Sequence, residues 1–121
     1  MKERRAGKII TVSSDSALLP SFDGAVAHYG AAKGAIIVYT KYLAAELGPY
    51  NINVNAIAPG YIATGRLLRA FREIGIENLE QQVAMRRLGT PEECASVVAM
   101  LATEASNYMS GAVVEIGARI R

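Results

Sequence analysis

The segment Lys8-Ile9-Ile10-Thr11-Val12-Ser13 is apolar and β-branched without alternation. A strand with one solvated face alternates polar and apolar residues, so an unbroken run predicts a strand covered on both faces, as in a parallel sheet packed between helices. Gly and Pro punctuation divides the rest of the chain into alternating segments, and the order reads β-α-β-α-β. Ala27 to Leu47 reads as a helix, with Ala31, Ala35, Val38, Tyr42 and Leu43 recurring at three- and four-residue steps. Gly48-Pro49 ends it, the glycine just past the cap and the proline unable to continue. Asn51 to Ala58 reads as a second strand, stopped by Pro59-Gly60. Leu67, Leu68, Phe71 and Ile74 form one face of a short helix opposite Arg66, Arg69, Arg72 and Glu73, and Asn78 to Met85 reads as a second short helix. Thr90-Pro91-Glu92-Glu93 carries three start signals: Thr as N-cap, Pro at the first helical position, and Glu93 closing a capping box. That helix runs to about Ala102 on Ala95, Val98 and Leu101, and Ala112 to Ile116 reads as a third strand. Strand, crossover helix and strand repeated in this way predict right-handed parallel units: an α/β domain with helices on a three-stranded sheet.

Composition narrows the function. A chain of 121 residues, 51% apolar and 20% charged, has a core to bury and is not disordered. The single cysteine, Cys94, has no partner for a disulfide and no Cys or second His for a metal cluster; it reads as a small core hydrophobe in a reducing compartment, and no metal site is expected. Net charge is +2, and the arginines alternate with acids, as in Arg69-Ala70-Phe71-Arg72-Glu73, so no nucleic-acid partner is expected. The apolar run near the amino end is too short for a signal peptide or membrane span, which predicts a cytoplasmic protein with no membrane partner.

The chemistry begins at Tyr29-Gly30-Ala31-Ala32-Lys33. Residues four apart share a helix face, so phenol and ammonium flank one small volume. A lone phenol exchanges protons poorly at neutral pH, and a cation within about 4 to 6 Å favours its phenolate, which makes Tyr29 a candidate general acid/base. The small residues between them keep the helix surface low enough for a flat ligand. By itself the pair is a short pattern, equally compatible with a rim tyrosine and a snorkelling lysine. The first strand supplies context, since it ends in Ser13-Ser14, and in parallel sheets ligands sit beyond the carboxyl ends of strands. A serine there can donate to a substrate carbonyl as charge develops on its oxygen, or simply form a Ser-Asp turn.

In order along the chain stand Gly7-Lys8-Ile9-Ile10-Thr11-Val12-Ser13-Ser14, Tyr29-x-x-x-Lys33, Asn53-Val54-Asn55-Ala56-Ile57-Ala58-Pro59-Gly60-Tyr61-Ile62-Ala63-Thr64, Arg87-Leu88-Gly89-Thr90-Pro91-Glu92-Glu93 and Tyr108-Met109-Ser110-Gly111. Five motifs in this register resemble the carboxyl half of the short-chain dehydrogenase/reductase family. The resemblance implies a partial Rossmann-like, doubly wound parallel sheet over residues 1–121. It implies hydride transfer between NAD or NADP and a small secondary alcohol or ketone. Tyr29 resembles the family's acid/base, Lys33 the residue that tunes it and holds the nicotinamide ribose, and Ser14 the substrate-orienting serine. Pro59, Gly60, Ile62 and Thr64 resemble the segment lining the nicotinamide, with Tyr29 and Lys33 completing the cofactor contacts. Gly65 to Met85 matches the variable substrate-binding segment, where Arg66, Arg69 and Arg72 read as a solvated face. The helices from Ala27 and Thr90 resemble subunit interfaces, which implies a homo-oligomer.

Three departures stand beside the resemblance. Ser14 lies fifteen residues before Tyr29, two more than is usual, whereas Ser16 has the usual spacing but falls past the strand end. Ile116-Gly117-Ala118-Arg119 replaces the usual ending with Gly-Gly. No closely spaced glycines that could cradle a phosphate occur among the 11 present, so the family's amino half is expected to be missing and Met1 to be an internal methionine of a longer ancestor. The alternative expectation is an inactive, truncated remnant that persists by associating with other chains.

Overall fold

The computed structural model describes residues 1–20, 24–117 and 119–120. Three strands, β1 (Gly7–Val12), β2 (Ile52–Pro59) and β3 (Val113–Ile116), form one parallel sheet in the order β1-β2-β3. The register runs from Gly7 opposite Ile52 to Val12 opposite Ile57, and from Ala56 opposite Val113 to Pro59 opposite Ile116. Helix α1 (Ala27–Leu47) connects β1 to β2; α2 (Gly65–Ala70), α3 (Ile76–Gln81) and α4 (Pro91–Leu101) lie between β2 and β3. This is the expected α/β Rossmann-like architecture, with strand and helix limits displaced by a few residues. Ile74 falls outside α2 and is exposed, so it adds nothing to that helix's apolar face.

β2 is the buried centre. Val54, Ala56 and Ala58 have no exposed surface, and Ile52 and Val54 pack with Leu47, Ile9, Leu43 and Ala44. Asparagine is disfavoured in strand interiors, and β2 holds two because their amides carry the loop that leads into β3. Asn55 Nδ2 donates to the Met109 carbonyl at 2.9 Å while its Oδ1 accepts from the Ala112 N–H at 3.0 Å. Asn53 Nδ2 donates to the carbonyls of Asn107 and Met109. Lys8 Nζ closes the same end of the sheet on Asn53 Oδ1, Ser106 Oγ and Asn107 Oδ1 at 2.9 to 3.2 Å. Every buried amide group of Asn55 is thereby satisfied, which a central strand requires.

Two expectations about α1 change. The row Ala31, Ala35, Val38 and Tyr42 is exposed, with Tyr42 75% accessible, and only Leu43 of that set is half-buried. The face against the sheet instead holds Thr40, Leu47, Leu43 and Ala44. A helix apolar nearly all the way round offers no single stripe, so periodicity does not select the inner face. Buried Thr40 is accommodated because its Oγ1 donates to the Ile36 carbonyl and accepts from Thr11 Oγ1 on β1, each at 2.7 Å. At the carboxyl end, Gly48 is right-handed (φ −53°) and the chain passes through a 3₁₀ turn, Gly48–Tyr50, before Asn51 takes the left-handed conformation (φ 57°). Proline fits the first turn of a helix, so Pro49 prolongs the winding by one turn rather than stopping it.

The start of α4 is as expected. Thr90 Oγ1 accepts from the Glu93 N–H at 3.2 Å, and Glu93 Oε2 accepts from the Thr90 N–H at 2.9 Å. Arg87 adds a bidentate pair, Nη1 to Oε2 at 2.9 Å and Nη2 to Oε1 at 2.5 Å. That hydrogen-bonded guanidinium first, and the Thr90 N–H second, lower the Glu93 carboxyl from 4.5 to about 2. Among the described residues no helix is long and apolar enough to cross a membrane.

A folded-state value below the unfolded one stabilises above pH 4.5 and is lost as pH falls toward 2. The contribution is small because the pair is exposed. The denaturant midpoint should therefore decline across that window, and Glu93→Gln should remove that part of the decline while slightly lowering the midpoint at neutral pH through loss of the ion pair with Arg87, since a glutamine can still accept from the Thr90 N–H. An identical pH profile in the two proteins would disprove the assignment.

Candidate active site

Because the strands are parallel, the carboxyl ends of β1 and β2 open on the same edge. Beyond β1, Ser13 and Ser14 are buried, and the Ser13 N–H continues the ladder onto the Ile57 carbonyl at 2.8 Å. Ser13 Oγ donates to the Lys33 carbonyl at 2.7 Å, and Lys33 Nζ donates to the Val12 carbonyl at 3.0 Å. Two bonds in opposite directions thus staple the second turn of α1 to the strand end. One helical turn away, the Tyr29 ring centroid lies 5.7 Å from Lys33 Nζ, within cation–π range, and Tyr29 is 43% exposed. The structure brings the expected Tyr29–Lys33 pair together at the end of the sheet.

Ser14 and Ser16 part company. Ser14 Oγ accepts from the Ser16 N–H at 3.2 Å, capping the 3₁₀ turn Asp15–Ala17, and donates to Asp15 Oδ1 at 3.3 Å. Ser16 is half-buried and lines a groove of about 370 Å³ with Ala17, Val26, Ala27, Gly30 and Gly34; neither Tyr29 nor Lys33 lines it. At Gly30 a Cβ would come within 2.7 Å of the Ser16 carbonyl oxygen, so on that side the helix meets the chain's own backbone, while Gly30, Ala31 and Gly34 also border the groove. Ala31 and Ala32 are exposed, and Gly34 faces open space.

The residue after Ser14 belongs to an arrangement that residue order does not reveal. Asp15 Oδ2 and Arg119 Nε lie 2.5 Å apart, both side chains only 5% exposed, with no aligned hydrogen bond between these two atoms, so the contact is an ion pair. Burial raises the Asp15 carboxyl and outweighs the lowering by Arg119. Arg119 Nη2 donates to the Leu19 carbonyl at 2.5 Å, and the guanidinium lies 5.6 Å from the Tyr61 ring centroid. Ala118 of the unusual ending lies outside the described residues.

Pro59 ends β2, and the Gly60 N–H donates to the Ile116 carbonyl at 2.9 Å. A Cβ at Gly60 would strike the Gly117 carbonyl and meet Asp15 Oδ2 at 3.2 Å, so this turn packs directly on the Ser14–Asp15 turn. Ile62 bridges Gly89, and exposed Thr64 caps α2 by accepting from the Leu67 N–H at 3.3 Å. Arg66, Arg69, Arg72 and His28 are exposed. Burial pushes the half-buried Cys94 thiol up, with Glu93 adding to the effect. Among the described residues no group of three or more His, Cys, Asp or Glu could hold a metal ion.

A family model described as Enoyl-(Acyl carrier protein) reductase matches residues 1–118. Cyclohexanol dehydrogenase of Rhodococcus sp. (strain TK6) is 47% identical over 116 residues, 96% of this chain and 43% of that protein. Human dehydrogenase/reductase SDR family member 4 is 40% identical over 119 residues, 97% of this chain and 42% of its own length. A 3-oxoacyl-[acyl-carrier protein] reductase from Brucella melitensis, solved with bound NAD, superposes with a TM-score of 0.81 at 44% identity, covering 96% of this chain and 41% of that one. The chain spans less than half the length of each of these three proteins.

The two glycines of α1 separate packing from mere helix propensity. Gly30→Ala should destabilise by about 1–3 kcal/mol because a backbone carbonyl must move. Gly34→Ala, into open space, should be neutral or stabilise by about 0.5–1 kcal/mol. Denaturant titration of the two variants checks both signs; equal effects would show that Gly30 is not a close-approach site.

Proposed function

Because the chain belongs to the short-chain dehydrogenase/reductase family, we propose that it supplies the proton-handling half of an NAD(P)-dependent oxidoreductase acting on a small secondary alcohol or ketone. The observation that carries this reading is the Tyr29–Lys33 pair, stapled to the end of β1 with the lysine 5.7 Å from the ring centroid. Tyr29 Oη gives its proton to the oxygen of a ketone being reduced, or takes one from an alcohol being oxidised. An ammonium carries three donors and the Val12 carbonyl uses one, which leaves donors for sugar hydroxyls. Ser14 has one hydroxyl proton, shared with Asp15 Oδ1, to turn toward the substrate oxygen.

The residues fit one end of a nicotinamide dinucleotide. Tyr29, Lys33 and the Pro59–Gly60 turn stand at the strand ends, and Ile62 and Thr64 follow on the same connection. The phosphates find no counterpart, since neither strand-to-helix connection carries closely spaced glycines. When bound, the nicotinamide supplies or accepts the hydride. The remaining contacts must come from another stretch of polypeptide.

A second reading, an inactive chain that persists by association, is favoured by the surface. Among the described residues β1 pairs with β2 alone, and Val12, Val38, Tyr39 and Tyr42 are all more than half exposed. An unpaired strand edge and exposed apolar side chains are templates for another chain, including a second copy. Neither reading needs a metal, a nucleic acid or a membrane.

Joined in frame to the amino half of the Rhodococcus cyclohexanol dehydrogenase, the chain should turn over secondary alcohols, and Tyr29→Phe should reduce kcat by about 10²–10⁴-fold with folding intact. Full activity in Tyr29→Phe would end the redox assignment. Without that half, sedimentation should find oligomers, and calorimetric titration should find no micromolar binding of NAD(H) or NADP(H). A monomer that binds either nucleotide tightly would contradict both expectations.

A further inference from the structure

We propose that the buried Asp15–Arg119 pair is a positioning latch that couples segment 117–120 to the turn carrying Ser14. The inference rests on the reading above, in which Ser14 addresses the substrate oxygen. Arg119 touches three segments around that residue: Asp15 and the Leu19 carbonyl on the turn after β1, the Tyr61 ring after β2, and Val83 through an antiparallel bridge. Beside it the Ile120 N–H donates to the Gln82 carbonyl at 2.7 Å, and Tyr61 Oη donates to Gln82 Oε1 at 3.3 Å. The latch reaches Ser14 through a single carboxylate, with Oδ2 against the guanidinium and Oδ1 accepting the Ser14 hydroxyl.

Net stability does not account for this pair. Removing two charges from water costs more than their attraction returns in many buried pairs, and here burial dominates over Arg119 at the Asp15 carboxyl, with Glu115 opposing ionisation as well. An apolar pair of similar volume would fill the space without tying the two segments together, and the Ser14 side chain would keep the Ser16 N–H but lose the carboxylate that holds its hydroxyl from the other side. Arg119 is thus a positioning residue: it acts on Ser14 only through Asp15.

The test uses the double variant Asp15→Leu/Arg119→Met, with Arg119→Gln carrying the same comparison should the double variant not fold, and Arg119→Lys as the conservative replacement. Hydrogen exchange followed by mass spectrometry on the chain itself should show about tenfold faster exchange in both 117–120 and 14–19 in the first two, and partial recovery in Arg119→Lys. In the joined enzyme kcat should fall about tenfold with KM little changed, because an aligned donor matters most as charge develops on the substrate oxygen. Faster exchange confined to 117–120, or normal kcat with both segments loosened, would overturn the latch. An inactive parent enzyme with coupled exchange would instead reject the redox reading and leave the coupling standing.

Discussion

The burial of β2 is the constraint on which the remaining structure depends. A strand closed on both faces and both edges needs a partner for every polar group, and β2 meets this with β1 on one side and β3 on the other. Its two asparagines then fix the approach to β3, while its carboxyl end sets the level at which Pro59 and Gly60 emerge. The site lies where it does because β1, in parallel register with β2, ends at Val12 opposite Ile57 and delivers Ser13 and Ser14 to the same edge.

From that edge, a few contacts hold the Tyr29–Lys33 turn in place. Ser13 reaches the Lys33 carbonyl and Lys33 reaches the Val12 carbonyl over sequence separations of 20 and 21. Gly30 allows α1 to approach closely enough for both, since any side chain there would meet the Ser16 carbonyl. Gly30, between Tyr29 and Lys33, therefore serves the packing of helix on turn.

What was legible in the residue order follows the range of the interactions concerned. The α4 start was readable because Thr90, Pro91 and Glu93 act within one turn. The Tyr29–Lys33 pair was readable because helical spacing fixes it. The inner face of α1 was not, because apolar residues surround that helix and only the sheet decides which of them are covered. The helix end at Gly48 is illegible for a similar reason: a 3₁₀ turn moves the left-handed residue to Asn51, whose side chain donates to the Arg5 carbonyl 46 residues away. Asp15 and Arg119 gave no local signal, and the unusual ending that contains Arg119 became intelligible only once the fold set it against Asp15.

These ranges impose an order on how the site forms. Contacts across some 20 residues close at little loop entropy, so the Tyr29–Lys33 turn can dock on β1 as soon as that strand exists. The contact between Arg119 and the Leu19 carbonyl spans 100 residues and requires β3 to be in place. Ser14 belongs to both regimes, held locally by the Ser16 N–H and at long range through Asp15. Its hydroxyl therefore reaches its final alignment only after the whole sheet has assembled, whereas proximity of phenol and ammonium is already a property of one helix.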